Sequence, residues 1–177
     1  MNVKGKNIII TGGSLGIGKE TARELVIKGA NVLITGRSEN RLIEAKNYTE
    51  SKILEFDISD HENLSKNAKK CIDILDGRVD VLINNAGIGV RKSIDELNID
   101  DFLKVFNVNV FGLALFTKEI IPLMIKESYG TIINIGSTAS LKGYKNGSIY
   151  SSSKFAVRCL TQCWQAELRP HNIRVCQ

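Results

Sequence analysis

Tyr150 and Lys154 stand four residues apart in a chain of 177 residues. On a helix that spacing puts both side chains on one face. A tyrosine hydroxyl gives up its proton poorly at neutral pH, but a neighbouring ammonium stabilises the phenolate. Two unit charges ~4 Å apart interact by about 4 kcal/mol at an effective dielectric of 20. Such a pair is a usable acid or base near pH 7. A bare Y-x-x-x-K is common on helix surfaces, so its weight comes from its surroundings. Ser137 lies 13 residues before Tyr150 and carries a hydroxyl able to hold a carbonyl oxygen. Ser140, 10 residues before, is the alternative. Upstream, Asn107-Val108-Asn109-Val110-Phe111-Gly112 offers two amides.

A second set of residues suits phosphate binding. Thr11-Gly12-Gly13-Ser14-Leu15-Gly16-Ile17-Gly18 follows a short β-branched run and opens a helical pattern. Glycines there allow a tight turn and close approach of backbone to a pyrophosphate, which the free N–H groups of the helix start attract. Lys19-Glu20 excludes a G-x-x-x-x-G-K-S/T phosphate loop, because Glu20 stands where Ser or Thr is needed. Gly36-Arg37-Ser38 ends the next apolar run without an acidic residue. An acid there would favour a ribose 2′-hydroxyl. Arg37 instead suits a 2′-phosphate. Asp57-Ile58 and Asn84-Asn85-Ala86-Gly87 follow the third and fourth runs.

The elements that must position these residues are legible from periodicity. Strands are expected at Asn7–Thr11, Asn31–Thr35, Ile53–Phe56, Asp80–Ile83, Gly130–Ile135 and Asn172–Cys176. Helices are expected at Gly16–Lys28, from Ser38 to about Glu50, from Asp60 to Leu75, from Ile99 to Lys126, and at Tyr150–Leu168. Ser38 and Asp60 read as helix caps, and Pro122 as a kink or end. Strands alternating with helices imply one α/β domain over residues 1–177. Its architecture would be three layers around a doubly wound, Rossmann-like parallel sheet. Ligands in such a sheet bind beyond the carboxyl ends of the strands, where every motif above falls.

The T-G-x-x-x-G-I-G turn, the strand-end Asp57-Ile58, Asn84-Asn85-Ala86-Gly87, and the Ser137, Tyr150, Lys154 set together resemble the short-chain dehydrogenase/reductase family, in its compact single-domain branch. The similarity to 3-oxoacyl-carrier-protein reductases implies hydride transfer between NADP(H) and a ketone or secondary alcohol. Cofactor contacts would come from Gly12, Ser14, Leu15, Gly16, Ile17, Gly18, Arg37, Asp57, Ile58, Asn85, Ala86, Gly87, Tyr150 and Lys154. The catalytic set would be Asn109, Ser137, Tyr150 and Lys154, with Asn109 holding a water relay. Leu15 stands where some relatives carry a second basic residue. The rivals are an NAD(H)-dependent alcohol or hydroxysteroid dehydrogenase and a non-catalytic dinucleotide-binding module. The family continues past the sixth strand into a substrate-covering segment and a seventh strand. The chain is therefore expected to be incomplete at its C-terminus. A homodimer or homotetramer, and a substrate carried on an acyl carrier, are further expectations.

Composition fits this reading. The chain is 43% hydrophobic and 24% charged, with a net charge of +5. Its cations are scattered, so nucleic-acid binding is not expected. The longest apolar zone, Val105 to Ile125, is broken by Asn107, Asn109, Lys118 and Glu119, and reads as a buried helix rather than a membrane span. Cys71, Cys159, Cys163 and Cys176 form no metal motif and read as buried free thiols of a cytoplasmic protein.

Overall fold

The computed structural model describes residues 2–177. Six strands, β1 (Asn7–Ile10), β2 (Asn31–Gly36), β3 (Lys52–Glu55), β4 (Val81–Asn84), β5 (Gly130–Asn134) and β6 (Ile173–Cys176), form one sheet. Their order is β3-β2-β1-β4-β5-β6, and all neighbours are parallel. The helices are α1 (Gly16–Ile27), α2 (Glu39–Thr49), α3 (Leu64–Ile74), α4 (Ile99–Phe106), α5 (Leu113–Lys126) and α6 (Ser148–Leu168).

Strand alternation decides which helices cover which face. Ile8, Ile10, Val32, Ile34, Val81 and Ile83 pack with Ala22 of α1 and with Leu42 and Ala45 of α2. Ile9, Leu33, Leu82 and Ile132 face the other way. They pack with Cys71 of α3, Phe116, Ile120 and Met124 of α5, and Leu168 of α6. The register lines these residues across the sheet: Ile9 opposite Leu33 and Leu82, Leu82 opposite Ile132, and Ile132 opposite Val175. Burial on both faces explains the nearly unbroken apolar strands.

One polar ladder crosses this core. Asn84 Nδ2 donates to Thr117 Oγ1 and to Asn134 Oδ1, each at 2.9 Å. Asn134 Nδ2 donates to Thr161 Oγ1 at 2.9 Å. These bonds fix β4 and β5 against α5, which follows the turn carrying Asn109, and against α6, which carries Tyr150 and Lys154.

Four expectations need correction. Asp60 does not cap a continuous helix: residues His61–Asn63 form a 3-10 turn, and α3 begins at Leu64 after Asn63. Ser38 precedes α2 but makes no side-chain cap bond. Pro122 neither ends nor breaks its helix, since α5 continues to Lys126. The interruption falls instead at Asn107–Gly112, which is a π-helical turn. A Cβ on Gly112 would meet the carbonyl of Ile58, so the backbone approach there requires glycine. Only Cys71 is a buried thiol; Cys159 and Cys163 are exposed and Cys176 is intermediate. The segment Ile99–Lys126 has the length and composition to cross a membrane, but half of its most apolar window is buried inside this fold.

Candidate active site

Parallel strands send all their carboxyl ends to one edge of the sheet, and a cavity of about 540 Å³ opens there. The turn after β1 forms its floor. Gly16 has φ +55°, a left-handed conformation that glycine adopts without strain. Gly18 serves differently: a Cβ there would clash with Asn85 Nδ2. That amide donates to Thr11 O at 3.0 Å and Gly12 O at 2.9 Å. Thr11 Oγ1 in return accepts from the backbone N–H groups of Asn85 and Ala86, both at 3.1 Å. The turns after β1 and β4 are thus locked together before any ligand arrives.

Most of the expected cofactor residues line this cavity: Gly12, Ser14, Leu15, Ile17, Arg37, Asp57, Ile58, Asn85, Ala86, Gly87, Tyr150 and Lys154. Gly16 and Gly18 do not reach the wall; they shape the turn behind it. Asp57 accepts from Ser59 N at 2.9 Å and Ser59 Oγ at 2.7 Å, a local turn that fixes its carboxylate at the rim. Sequence reading missed Arg41, which lines the same end as Arg37. The two lie four residues apart at the start of α2, and neither forms an ion pair among the described residues. No helical period in the sequence joins them, because Arg37 lies before the Ser38 cap and Arg41 after it. Ser14 Oγ belongs to this corner too, lying against Gly36.

At the other end, α6 presents Tyr150 and Lys154. Lys154 is only 6% exposed, and burial pushes its ammonium below the usual lysine range. Its Nζ donates to Ile135 O at 2.7 Å and lies 5.9 Å from the Tyr150 ring centroid. The Tyr150 ring lies against Gly89, where even a Cβ would be tight. Asn109 sits in the π-helical turn and is 1% exposed. Its Nδ2 donates to Ile88 O at 2.9 Å and Ser153 Oγ at 3.0 Å, while Oδ1 accepts from Ile88 N at 2.8 Å. Both amide protons are therefore consumed, and one lone pair on Oδ1 is left. That oxygen and Lys154 Nζ converge on Gly87. Asn107 lies apart, and its carbonyl meets the His61 ring.

Ser137 follows β5, next to Gly136 of the cavity wall. Its Oγ accepts from Ala139 N at 3.1 Å, which leaves the hydroxyl proton free to donate. Ser140, its alternative, is 2% exposed and fully bonded within the protein.

The profile of the short chain dehydrogenase family matches residues 6–177. An uncharacterised oxidoreductase of Staphylococcus epidermidis is 30% identical over 98% of the chain and 76% of the relative. A fatty acyl-CoA reductase of Acinetobacter baylyi is 34% identical over 98% of the chain and 61% of the relative. Among solved structures, a short-chain dehydrogenase from Streptomyces avermitilis superposes with TM-score 0.92 at 29% identity, covering 97% of this chain and 64% of that one. An NAD+-bound xylitol dehydrogenase gives 0.91 at 29%, covering 99% and 69%. The chain thus spans three quarters of one relative and less than two thirds of others. With its sheet order, its locked glycine turn and a family match running from Lys6 to the last residue, the chain belongs to the short-chain dehydrogenase/reductase family.

Proposed function

We propose that the protein moves a hydride between NADP(H) and a ketone or secondary alcohol, with Tyr150 giving or taking the proton at oxygen. The observation that carries this reading is the wall that α6 and the strand ends make together. Tyr150 and a buried Lys154 border the same cavity as the glycine turn, and the Ser137 turn adjoins it. Bound in that cavity, NADP(H) supplies or accepts the hydride. The chain does the rest. Gly12, Ser14, Leu15 and Ile17, in and just before the first turn of α1, would hold the pyrophosphate. Asp57 and Ile58 would border the adenine, and Asn85, Ala86 and Gly87 would line the rest of the cofactor. Ser137, whose hydroxyl proton is free, donates a hydrogen bond to the carbonyl oxygen and keeps its proton. Lys154 places its buried Nζ beside Tyr150 at the cavity wall. Asn109 and Lys154 face each other across Gly87, a gap suited to a bridging water that returns protons.

Arg37 and Arg41 support the 2′-phosphate over the 2′-hydroxyl. The exposed Arg91, Lys142 and Lys145, on the loops after β4 and β5, suit a substrate carried on a phosphate-bearing acyl carrier. The NAD+-bound xylitol dehydrogenase among the structural neighbours favours a second reading, an NAD-dependent alcohol dehydrogenase. Exposed Leu103, Phe111, Leu115 and Phe155 on α4, the π turn, α5 and α6 favour a homodimer, or a homotetramer built from it. The absence of paired thiol motifs fits a cytoplasmic location.

Two experiments test the reading. A panel of 3-oxo thioesters, 3-oxo esters, hydroxysteroids and polyols is assayed by NADPH or NADH absorbance. Tyr150→Phe should lower kcat by ~10² to 10⁴-fold; unchanged turnover with every substrate overturns the assignment. Arg37→Ala and Arg41→Ala should each weaken NADPH binding about tenfold and leave NADH binding alone. Tighter binding of NADH than of NADPH by the unmodified protein would favour the NAD reading. Cofactor binding with no turnover across the panel would mean a non-catalytic module.

A further inference from the structure

The turn that carries Ser137 is organised around a different hydroxyl. Ser140 Oγ accepts from Ser137 N at 3.0 Å and donates to Ser137 O at 2.5 Å. It also accepts from Gln177 Nε2 at 3.2 Å. A serine hydroxyl has one proton and two lone pairs, so all three are used. Ser140 has nothing left to offer a substrate. Both backbone groups of Ser137, however, are tied to this one side chain.

The same residue is anchored from outside the turn. Arg158 Nη1 donates to Ser140 O at 3.3 Å. Arg158 lies on α6, two helical turns beyond Tyr150. Gln177 follows β6, the neighbour of β5 in the sheet. The Ser137 turn is therefore held by the helix that carries Tyr150 and by the adjacent strand. Gly136 lets this happen, because a Cβ there would run into the Gln177 side chain. Arg158, Gln177 and Ser140 lie outside the residues that border the cavity.

We propose that Ser140 is a positioning residue. Held by Arg158 and Gln177, it fixes the Ser137 hydroxyl relative to Tyr150, so that one carbonyl oxygen meets both. The proposal rests on the hydride-transfer reading above, in which Ser137 holds that oxygen. Two hydroxyls that must converge on one atom need their supports rigid to a fraction of an ångström, and misplacement costs rate rather than cofactor affinity.

The test uses whichever carbonyl of the panel the protein reduces fastest. Ser140→Ala should lower kcat about tenfold or more, with NADPH affinity unchanged by cofactor fluorescence and the pH midpoint of kcat unmoved. Ser137→Ala should lower kcat further. The double variant should be no slower than Ser137→Ala, because the support has nothing left to position; independent effects would multiply. Arg158→Met, which keeps the stem and removes the guanidinium, should lower kcat several-fold and likewise add nothing to Ser137→Ala. It serves as the decisive variant if Ser140→Ala does not fold by circular dichroism. Normal kcat in folded Ser140→Ala, or multiplying penalties in the double variant, overturns the positioning role alone. Full activity in Ser137→Ala, or a protein that reduces none of the carbonyls, overturns the underlying reading and the inference with it.

Discussion

Lys154 concentrates the site's electrostatic cost in one residue. Its ammonium is buried, and loss of hydration pushes its pKa down from the usual lysine value. The unfolded chain holds this proton more tightly than the folded one. Stability contributed through this group therefore rises with pH, from the lowered folded pKa up to the ordinary lysine range. Lys154→Met removes the titration. Its melting temperature relative to the unmodified protein should be highest near neutral pH and should fall as pH approaches 10, while turnover is lost. A difference that is flat with pH, measured by scanning calorimetry, would show that the buried ammonium carries no folding penalty. A buried charge that weakens the fold yet faces the cavity wall is the pattern expected of a group kept for chemistry rather than stability.

At the scale of elements, the π-helical turn at Asn107–Gly112 is the device that aims Asn109. A regular helix would carry the Asn109 amide past Ile88 and Ser153, which it meets at 2.8 to 3.0 Å. Gly112 makes the turn fit, because the Ile58 carbonyl occupies the place of a Cβ. Gly112→Ala should therefore destabilise the protein by about 1–3 kcal/mol through overpacking, read from urea unfolding. It should also lower kcat more than it raises the KM for NADPH, since Ile58 and Asn109 both shift. A variant with ordinary stability would mean that the approach is slack. The sequence pattern pointed to one long helix here and placed its weak point at Pro122. Periodicity reports the average pitch and misses one inserted residue, and Pro122 is tolerated at an exposed position of α5.

For the whole molecule, the apolar strip over α4, the π turn, α5 and α6 leaves Leu103, Phe111, Leu115 and Phe155 open. If two copies associate there, Leu115→Glu should shift the species seen by light scattering from dimer to monomer at micromolar concentration, because a desolvated carboxylate has no partner in an apolar contact. An unmodified protein that is monomeric throughout would remove the proposed dimer. The fold itself was legible in the chain. Strand runs, helix periods and the order of turn motifs are local properties, so the sheet, its helices and the strand-end positions of Gly12, Arg37, Asp57, Asn85 and Ser137 followed from sequence. The helix pairing Tyr150 with Lys154 followed too, because four residues fix a helical face wherever the helix lies. What needed the tertiary structure was the state of each polar group. Ser140 is spent because Gln177, 37 residues away, reaches it. Asn109 rather than Asn107 is engaged because Ser153, 44 residues away, lies opposite. Arg41 joins Arg37 only because the first turn of α2 also lines the cavity. Which lone pairs and protons remain for chemistry depends on partners distant in sequence, and only packing brings those together.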